Sequence, residues 1–371
     1  MKYYLIAGEA SGDLHGANLM QAIKQKDAQA DFRFFGGDLM RAQGGVLVKH
    51  YREMAYMGLM EVIVHLPAIL KNLQQCKADI LTYRPDVIIL VDFPGFNLKI
   101  APFAKAHHIR VCYYISPKIW AWNQKRVLKI KKYVDKMLCI LPFEQAFYRE
   151  WGMDVDYVGN PLLDAICQHS ANHQFKKDNH LDARPIVALL PGSREMEIKK
   201  LLPVMLQVAD KFPEYQFVIA GAPAQQDAFY ERLLNNRPIC VVFNQTYHLL
   251  QHAQAAMVAS GTATLETALF KVPQMVVYKL NPISFFVGKR LVKIKFISLV
   301  NLILNKLSIK EFIQTDCNVE NCGRELSSIL KKEKRYAEIM FDYAVLQQKM
   351  GKPGASEKAA EIITKYLNKS K

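Results

Sequence analysis

The 371-residue sequence lacks the features that mark several specialised classes of protein. Its seven cysteines form no CxxC pair, and several lie in apolar runs, as buried free thiols do. We therefore expect a reducing cytoplasmic compartment and no structural metal. No apolar run reaches about 18 uninterrupted residues, so no transmembrane helix is predicted. The strand-like residues 1–7 are too short and wrongly flanked for a signal peptide.

Acidic residues are also scarce, since 34 Asp and Glu stand against 49 Lys and Arg, a formal net charge of +15. Such a charge favours nucleic acid, an anionic membrane surface or phosphorylated substrates as partners. Residues 281–310 carry six basic residues and no acid among Phe, Ile, Leu and Val. This mixture suits anionic lipid better than nucleic acid. The candidate contacts are Lys289, Arg290, Lys293 and Lys295.

Two further stretches have a similar composition. Residues 125–136 carry six basic residues and one acid. Residues 54–70 are crowded with Met and Leu, and Met57 and Leu59 are candidate lipid contacts there. Ordinary packing in the protein core is the competing interpretation of this second stretch.

Apolar runs rich in β-branched and aromatic residues alternate with helical patterns, which predicts parallel strands and an α/β class. The predicted strands are 3–7, 32–35, 87–91, 111–115, 137–141, 186–190, 216–220, 239–243, 255–259 and 274–278. The polar segment 169–184 is the predicted linker. We expect two Rossmann-like domains facing each other across a cleft. The first comprises residues 1–165 with a returning C-terminal helix in 348–371, and the second comprises 166–347.

Two glycine-containing turns in the second half each follow a strand and precede a helix. In the first turn, Gly192 and Ser193 should present free backbone N–H groups to an anion, and Arg194 could grip phosphate oxygens with two parallel bonds. In the second turn, Glu266 lies four residues after Thr262, outside capping-box spacing, and could accept hydrogen bonds from ribose hydroxyls. The alternatives are a plain turn with Ser193 as N-cap and Arg194 in solvent, and an exposed Glu266 that complements the helix dipole.

The strand ends of the first half carry acids instead. The turn at 8–16 has no GxGxxG fingerprint, and its Glu9 and Asp13 would repel a pyrophosphate, so a neutral hydroxyl-bearing substrate fits better. Alternatively, Ser11 or Asp13 caps the following helix. Asp92, directly after strand 87–91, could act as a general base towards a sugar hydroxyl or could cap the next turn. The aromatic segment 113–123 could stack on a sugar or pack beneath the site.

Seven motifs spread in order over roughly residues 3 to 314 resemble those of the lipid-A-disaccharide synthase family. They are Gly8–Asp13 (GEASGD), Asp92–Asn97 (DFPGFN), Ser116–Trp122 (SPKIWAW), Leu141–Glu144 (LPFE), Leu190–Arg194 (LPGSR), Ser260–Glu266 (SGTATLE) and Ser298–Asn301 (SLVN). Each motif alone is weak, but the ordered set is specific.

The resemblance implies an inverting, metal-independent glycosyltransferase of the GT-B type without a cofactor. It would join UDP-2,3-diacylglucosamine to 2,3-diacylglucosamine 1-phosphate and release UDP and the β-1,6-linked disaccharide 1-phosphate. It also implies a peripheral enzyme on the cytoplasmic face of the inner membrane of Gram-negative bacteria. The first domain would take the acceptor, and the second would take the UDP-sugar.

The resemblance also implies roles for individual residues. The catalytic residues would be Asp92 and Glu9. The donor-side residues, which include turn neighbours of the matched positions, would be Gly192, Ser193, Arg194, Ser260, Gly261, Thr262, Glu266 and Asn301. The acceptor-side residues are Ser11, Gly12 and Asn97.

The chain departs from the family pattern at three places. Gly95 stands where many members have a second acid, Asn160 stands where a His is usual, and Asn305–Lys306 replaces a common Gly-Arg.

A UDP-sugar epimerase on the same fold and a basic nucleic-acid-binding protein are the rival interpretations. Exchange of the C-terminal helix would suit a homodimer.

Overall fold

The computed structural model describes residues 1–54, 66–281, 294–331 and 333–368. The chain divides into two compact units, Met1–Asp164 with Lys352–Lys371, and Ala165–Gly351. Each unit is built on one parallel sheet whose strands alternate with helices. The α/β class predicted from the alternating apolar runs is therefore confirmed.

The first unit contains a seven-stranded sheet. Its strands are β1 Lys2–Ala7, β2 Asp31–Gly36, β3 Val46–His50, β4 Val87–Val91, β5 Arg110–Tyr114, β6 Lys136–Cys139 and β7 Asp156–Tyr157. The helices that follow them are α1 Ala10–Lys26, α2 Asp38–Ala42, α3 Leu66–Tyr83, α4 Pro94–Ala106, α5 Ile119–Trp122, α6 Arg126–Tyr133 and α7 Glu144–Glu150. The next helix, α8 Pro161–Gln168, begins in the first unit and ends in the second. A short 3₁₀ turn covers Tyr51–Glu53.

The strand order β3-β2-β1-β4-β5-β6-β7 reverses direction between β1 and β4. Ligands of open parallel sheets bind beyond the carboxyl ends of the strands at such a reversal, because the connecting loops diverge there. β4 is apolar and buried at every position, as a central strand covered on both faces must be. The pairing of Ala7 with Val91 places the ends of β1 and β4 side by side.

The second unit repeats the plan with six strands, β8 Ile186–Leu190, β9 Gln216–Gly221, β10 Cys240–Phe243, β11 Ala253–Ala259, β12 Gln274–Tyr278 and β13 Glu311–Ile313. Its helices are α9 Phe175–Asp178, α10 Glu195–Ala209, α11 Asp227–Leu234, α12 Thr246–His252, α13 Thr262–Leu269, α14 Leu299–Leu304, α15 Val319–Leu330 and α16 Lys334–Met350. A 3₁₀ turn covers Gln314–Asp316. The order β10-β9-β8-β11-β12-β13 reverses between β8 and β11.

The last helix, α17 Ala355–Asn368, belongs to the first unit. It packs along α1 and buries Ala359, Ala360, Ile363 and Leu367 in the same core as β1 and β4. The Asp164 carboxylate accepts hydrogen bonds from the Gly354 and Ala355 amides and so holds the start of this helix.

Two features of the fold differ from the sequence-based expectations. The strands β3, β7 and β13 were not predicted; each lies at an edge of its sheet and is only partly buried, so its apolar signal is weak. The predicted linker at 169–184 is wrong, because that segment lies in the second unit and buries Phe175 in its core.

Among the described residues, no helix combines the length and apolar character needed to cross a membrane. Nor do the described parts of the chain bring together three or more His, Cys, Asp or Glu side chains in a group that could hold a metal ion.

Candidate active site

The first group of candidate residues lies where β1 and β4 end. Glu9 is the second residue after β1, and Asp92 directly follows β4, so the parallel pairing of the two strands brings both acids to one edge of the sheet. Their charges interact, since Glu9 contributes to raising the pKa of Asp92. The topology therefore assembles in one unit the two acids that sequence reasoning assigned to catalysis.

The backbone at Asp92 is held in an unusual conformation. Asp92 and Phe93 both adopt left-handed φ angles, +43° and +47°, which cost a non-glycine residue about 1 kcal/mol or more each. Three hydrogen bonds fix the turn: the Asp92 amide donates to Tyr114 O at 3.1 Å, and Asp92 O accepts from Asn97 Nδ2 at 2.7 Å and from Tyr113 Oη at 2.5 Å. Strained backbone of this kind is concentrated at functional sites.

The electrostatic surroundings of Asp92 suit a general base. Burial and the Glu9 carboxylate raise the pKa of Asp92 to about 6, while Lys118 and the Phe93 amide act in the opposite direction. A base is most effective when its pKa lies near the working pH, because it is then both deprotonated and still basic. Asp92 meets both conditions near neutral pH.

Gly8 allows this turn to approach β1. A Cβ atom at Gly8 would lie 2.3 Å from the ring of Phe93, well inside contact distance. The ring of Phe93 in turn stacks on Phe96 of α4, with centroids 5.6 Å apart. The glycine is therefore required by the close approach of the Asp92 turn, whatever the ligand.

The acceptor-side candidates differ in their surroundings. Ser11 is exposed on the first turn of α1, whereas Gly12 is buried and a Cβ there would lie 3.2 Å from Ala7 Cβ. Asn97 is fully buried, and its Nδ2 donates to the carbonyls at the ends of β1 and β4 as well as to Asp92 O. Asn97 thus holds the Asp92 turn against the ends of β1 and β4.

The alternative that Ser11 or Asp13 caps α1 is wrong. α1 begins at Ala10 with Glu9 as its N-cap residue, and no side chain caps it. The buried Asp13 carboxylate instead accepts from the amides of Gly37, Leu39 and Met40, so it caps α2. Sequence spacing could not reveal this, because the helix that Asp13 caps is 25 or more residues away along the chain.

The aromatic segment after β5 is divided between packing and exposure. Trp120 is buried and donates its Nε1 hydrogen to Glu144 Oε1 at 3.2 Å, and the other Glu144 oxygen accepts from the Leu141 amide at 2.9 Å. Burial raises the pKa of Glu144 to about 7. Trp122, in contrast, is 50 % exposed, with the Arg126 guanidinium 4.6 Å from its ring centroid.

The donor-side candidates lie at the corresponding place in the second unit. Leu190 pairs with Val258, so the turns after β8 and β11 leave that sheet next to each other. They line a pocket of about 300 Å³ together with residues 220–223 and Thr246. The candidates that line it are Gly192, Ser193, Ser260, Gly261, Thr262 and Glu266.

Glu197 also lines this pocket, and sequence reasoning missed it. Its carboxylate lies against Gly192, where a Cβ would be 2.1 Å from Glu197 Oε2, and the nearby Ser193 and Arg194 amides act to lower its pKa against the effect of burial. The turn that was expected to offer its N–H groups to an anion therefore has a carboxylate of the protein beside it. The sequence carried only a weak signal for this, because Glu197 follows the N-cap residue by three but that residue is Arg194 and not the Ser or Thr of a capping box.

The alternative interpretations of this turn and of Glu266 are only partly correct. Ser193 is not the N-cap of α10, although Arg194 is exposed as that alternative required. Glu266 is not exposed: its Oε1 accepts from Tyr247 Oη at 3.0 Å, and burial raises its pKa. Ser260 Oγ donates to Ile297 O at 2.9 Å and so ties its turn to the chain before α14.

Asn301 is fully buried and is not among the residues that line the pocket. Its Nδ2 donates to Ile309 O and Glu311 Oε1, both at 2.8 Å, and its Oδ1 accepts from the Ser308 and Ile309 amides. These partners account for the whole side chain. Asn301 therefore holds the loop between α14 and β13.

The lipid-contact candidates mostly fall outside the described residues. Met57, Leu59, Lys289, Arg290 and Lys293 lie there, whereas Lys295 is described and exposed. The basic helix α6 is described too. Its Leu128 is 57 % exposed among the basic residues of the 125–136 run.

Comparison with protein families gives a match over residues 3–365 to the family described as lipid-A-disaccharide synthetase. The lipid-A-disaccharide synthase of Geobacter metallireducens is 36 % identical over 99 % of this chain and 97 % of its own length. That of Syntrophus aciditrophicus is 38 % identical over 99 % and 98 %. These alignments span both units.

Solved structures agree on the fold. A putative UDP-N-acetylglucosamine 2-epimerase from Listeria monocytogenes has a TM-score of 0.69 at 11 % identity, covering 99 % of this chain and 97 % of its own. The glycosyltransferase of kitacinnamycin has a TM-score of 0.65 at 12 % identity, covering 99 % of both chains. At such identity the likeness concerns the fold alone, which is GT-B-like, as the sequence predicted.

Proposed function

The chain belongs to the lipid-A-disaccharide synthase family, and from this premise we propose how its residues divide the reaction. The activity is that of a lipid-A-disaccharide synthase, a glycosyltransferase. In our proposal, the donor is UDP-2,3-diacylglucosamine and the acceptor is 2,3-diacylglucosamine 1-phosphate. The acceptor 6-hydroxyl attacks the anomeric carbon of the donor in a single displacement, inverts its configuration and expels UDP.

Asp92 is the proposed general base. It takes the proton of the acceptor hydroxyl as the new glycosidic bond forms, and its pKa of about 6 leaves it ionised at neutral pH. Glu9 keeps that pKa raised from the neighbouring strand end. Asn97 and Gly8 act through Asp92 as positioning residues, since one holds its carbonyl and the other makes room for its turn. Ser11 and Gly12 lie on the acceptor side of the same turn.

The second unit is the proposed donor side. The turns at Gly192–Ser193 and Ser260–Thr262 line the pocket and offer backbone amides to the diphosphate. Arg194, exposed next to Ser193 in the chain, adds a cation as charge develops on the departing UDP. Glu266, oriented by Tyr247, accepts from the ribose hydroxyls. Asn301 supports this side through the loop that follows α14.

The single observation that carries the proposal is the pairing of β1 with β4, which places an ionisable base with a raised pKa beside a second acid. The epimerase alternative rests on fold similarity at 11 to 14 % identity, whereas the synthase relatives are 36 and 38 % identical over nearly the whole chain. None of the relatives and solved structures named above has a name that indicates nucleic-acid binding.

The test is a mass-spectrometric assay of the purified protein with both acylated glucosamine substrates. The expected result is a disaccharide 1-phosphate that forms in step with UDP and only when both substrates are present. UDP release without an acceptor, or conversion of the donor to an isomer, would contradict the proposal.

We further propose that the enzyme works at an anionic membrane surface, because its acylated substrates reside there. The net charge of +15, the exposed Lys295 and the exposed Leu128 on the basic helix α6 support this. We propose the cytoplasmic face of the inner membrane as this surface, because the family resemblance implies that location. A homodimer formed by exchange of α17 completes the proposal, and the glycines at 351 and 354 allow the chain to turn before that helix.

A further inference from the structure

Glu197 lies in the pocket of the proposed donor site, beside the turn that is expected to bind phosphate. A Cβ built at Gly192, whose φ is +109°, would lie 2.1 Å from Glu197 Oε2, so the carboxylate lies directly against this turn. The Ser193 and Arg194 amides, which the turn would offer to a diphosphate, act to lower the pKa of Glu197. The second phosphate-side turn lines the same pocket. A negatively charged group of the protein itself thus lies where these amides would meet a diphosphate.

The charges around Glu197 make its position sensitive to another anion. Arg194 faces it from its own turn, the Tyr278 hydroxyl faces it from β12, and Glu266 lines the other side of the pocket on α13. Burial raises the pKa of Glu197, and a diphosphate placed beside it would raise that pKa further. The carboxylate and the diphosphate therefore repel each other and share the same hydrogen-bond donors.

We propose that the Glu197 carboxylate competes with the donor diphosphate for the Ser193 and Arg194 amides, so that it weakens nucleotide binding and speeds the release of UDP. This inference rests on the donor site of the proposed function. When a nucleotide binds, the two amides exchange a carboxylate oxygen for a phosphate oxygen. When the sugar has been transferred, the carboxylate returns and displaces UDP.

A purely structural role makes a different prediction. Glu197 follows the N-cap residue by three, and a capping glutamate stabilises the start of a helix without affecting a ligand. Glu197→Gln separates the two roles, because the amide oxygen still accepts from the backbone N–H groups but the charge is gone. Glu195→Gln is the matched control, since Glu195 lies in the same helical turn, is exposed and pairs only with Lys199 among its described contacts.

The experiment is isothermal titration calorimetry of the full-length protein with UDP and with uridine at pH 7.5. Removal of a like charge next to the diphosphate should make Glu197→Gln bind UDP at least about tenfold tighter. Its affinity for uridine, which carries no phosphate, should stay within about twofold of the wild type. In steady-state kinetics, the inhibition constant for product UDP should fall by the same factor as the dissociation constant. Glu195→Gln should match the wild type in every measurement.

Glu197→Ala is a second variant, which tests whether the effect on UDP binding depends on the glutamine side chain. It uncovers the same amides, so it too should bind UDP more tightly than the wild type, even if the start of α10 is less stable. Equal or weaker UDP binding by both Glu197 variants would overturn the role proposed for Glu197 and leave the donor site intact. Wild-type protein that binds neither UDP nor uridine would overturn the donor site itself, and the inference with it.

Discussion

At the scale of single residues, both the backbone conformation and the pKa of Asp92 are set by its surroundings. Its backbone has a left-handed φ, its carbonyl accepts two side-chain hydrogen bonds, and its carboxyl group is balanced between an acid and a cation. A freely exposed aspartate would titrate near its ordinary value and would be a weaker base. The environment thus converts a common side chain into one suited to proton transfer near neutral pH.

We expect Asp92→Asn to lower turnover by about 10²–10⁴, because an amide cannot accept the proton of the acceptor hydroxyl. Initial rates measured by mass spectrometry check this, and UDP binding should persist because the donor-side residues lie in the other unit. Asp154→Asn, which alters an exposed acid of the same unit, serves as the control and should keep the wild-type rate. Wild-type turnover in Asp92→Asn would rule out the assignment of the base.

The pH profile gives an independent prediction. Since only ionised Asp92 can act as the proposed base, kcat/KM should fall as the pH drops through about 6, the pKa of Asp92. Glu9→Gln removes a like charge and should move this limb to lower pH, whereas Lys118→Met removes an opposite charge and should move it to higher pH. Rates are measured from pH 4.5 to 8 for all three proteins. An acidic limb that stays in place in both variants would show that another group controls it.

At the scale of elements, the site depends on turns that pack tightly against neighbouring strands. Gly8 meets the ring of Phe93 from the turn after β4, and Gly192 meets Glu197 from the first turn of α10. In both cases a side chain from a second element fills the space that a Cβ would take. The glycines are therefore required by packing between elements, as well as by the local shape of the turn.

This predicts that Gly8→Ala is destabilising. The added Cβ would lie 2.3 Å from the Phe93 ring, and such overpacking typically costs about 1–3 kcal/mol of unfolding free energy. Gly95→Ala is the matched control in α4, because nothing lies within 4 Å of its added Cβ. It should instead stabilise the protein by about 0.5–1 kcal/mol through helix propensity. Urea unfolding of both variants checks the two signs, and equal stability of the two would contradict this account of Gly8.

At the scale of the whole molecule, the excess of basic residues is the feature that the catalytic residues do not explain. Asp92, Glu9 and Glu266 are all acids, yet the chain carries a net charge of +15. The positive charge therefore serves something other than the reacting groups. We propose anionic lipid around the acylated substrates as the partner for this charge.

We expect the protein to bind vesicles that contain anionic lipid and to bind them less as salt rises, because salt screens the charges. Changing Lys289, Arg290, Lys293 and Lys295 together to Glu should abolish most of this binding. A control with the same change of charge, at the exposed residues Lys26, Lys211, Lys331 and Lys334, should bind better than that variant. Vesicle co-sedimentation measures all three proteins. Partitioning that does not depend on salt would contradict an electrostatic attachment.

Strands and candidate site residues could be predicted from the sequence where the local apolar pattern is long and strong. The buried strands β4 and β8 are runs of apolar residues, so both they and the polar residues directly after them could be identified from the sequence. The edge strands β3, β7 and β13 carry half-buried patterns that do not stand out from loops. Glu197 was not predicted because its helix is capped at Arg194, which is not the Ser or Thr that marks a capping box in a sequence.

Local composition is sufficient for the α/β class, for the family and for the chemical type of each candidate residue, because apolar runs and short motifs are properties of neighbouring positions. Which of these residues meet depended on the order of the strands. Glu9 and Asp92 are 83 positions apart and come together only because β1 pairs with β4. In the same way, the Gly192–Arg194 turn reaches the Ser260–Thr262 turn through the pairing of β8 with β11. The tertiary structure also decided that Asp13 caps a distant helix and that the Glu197 carboxylate lies against the Gly192 turn, because such partners are chosen by proximity in space.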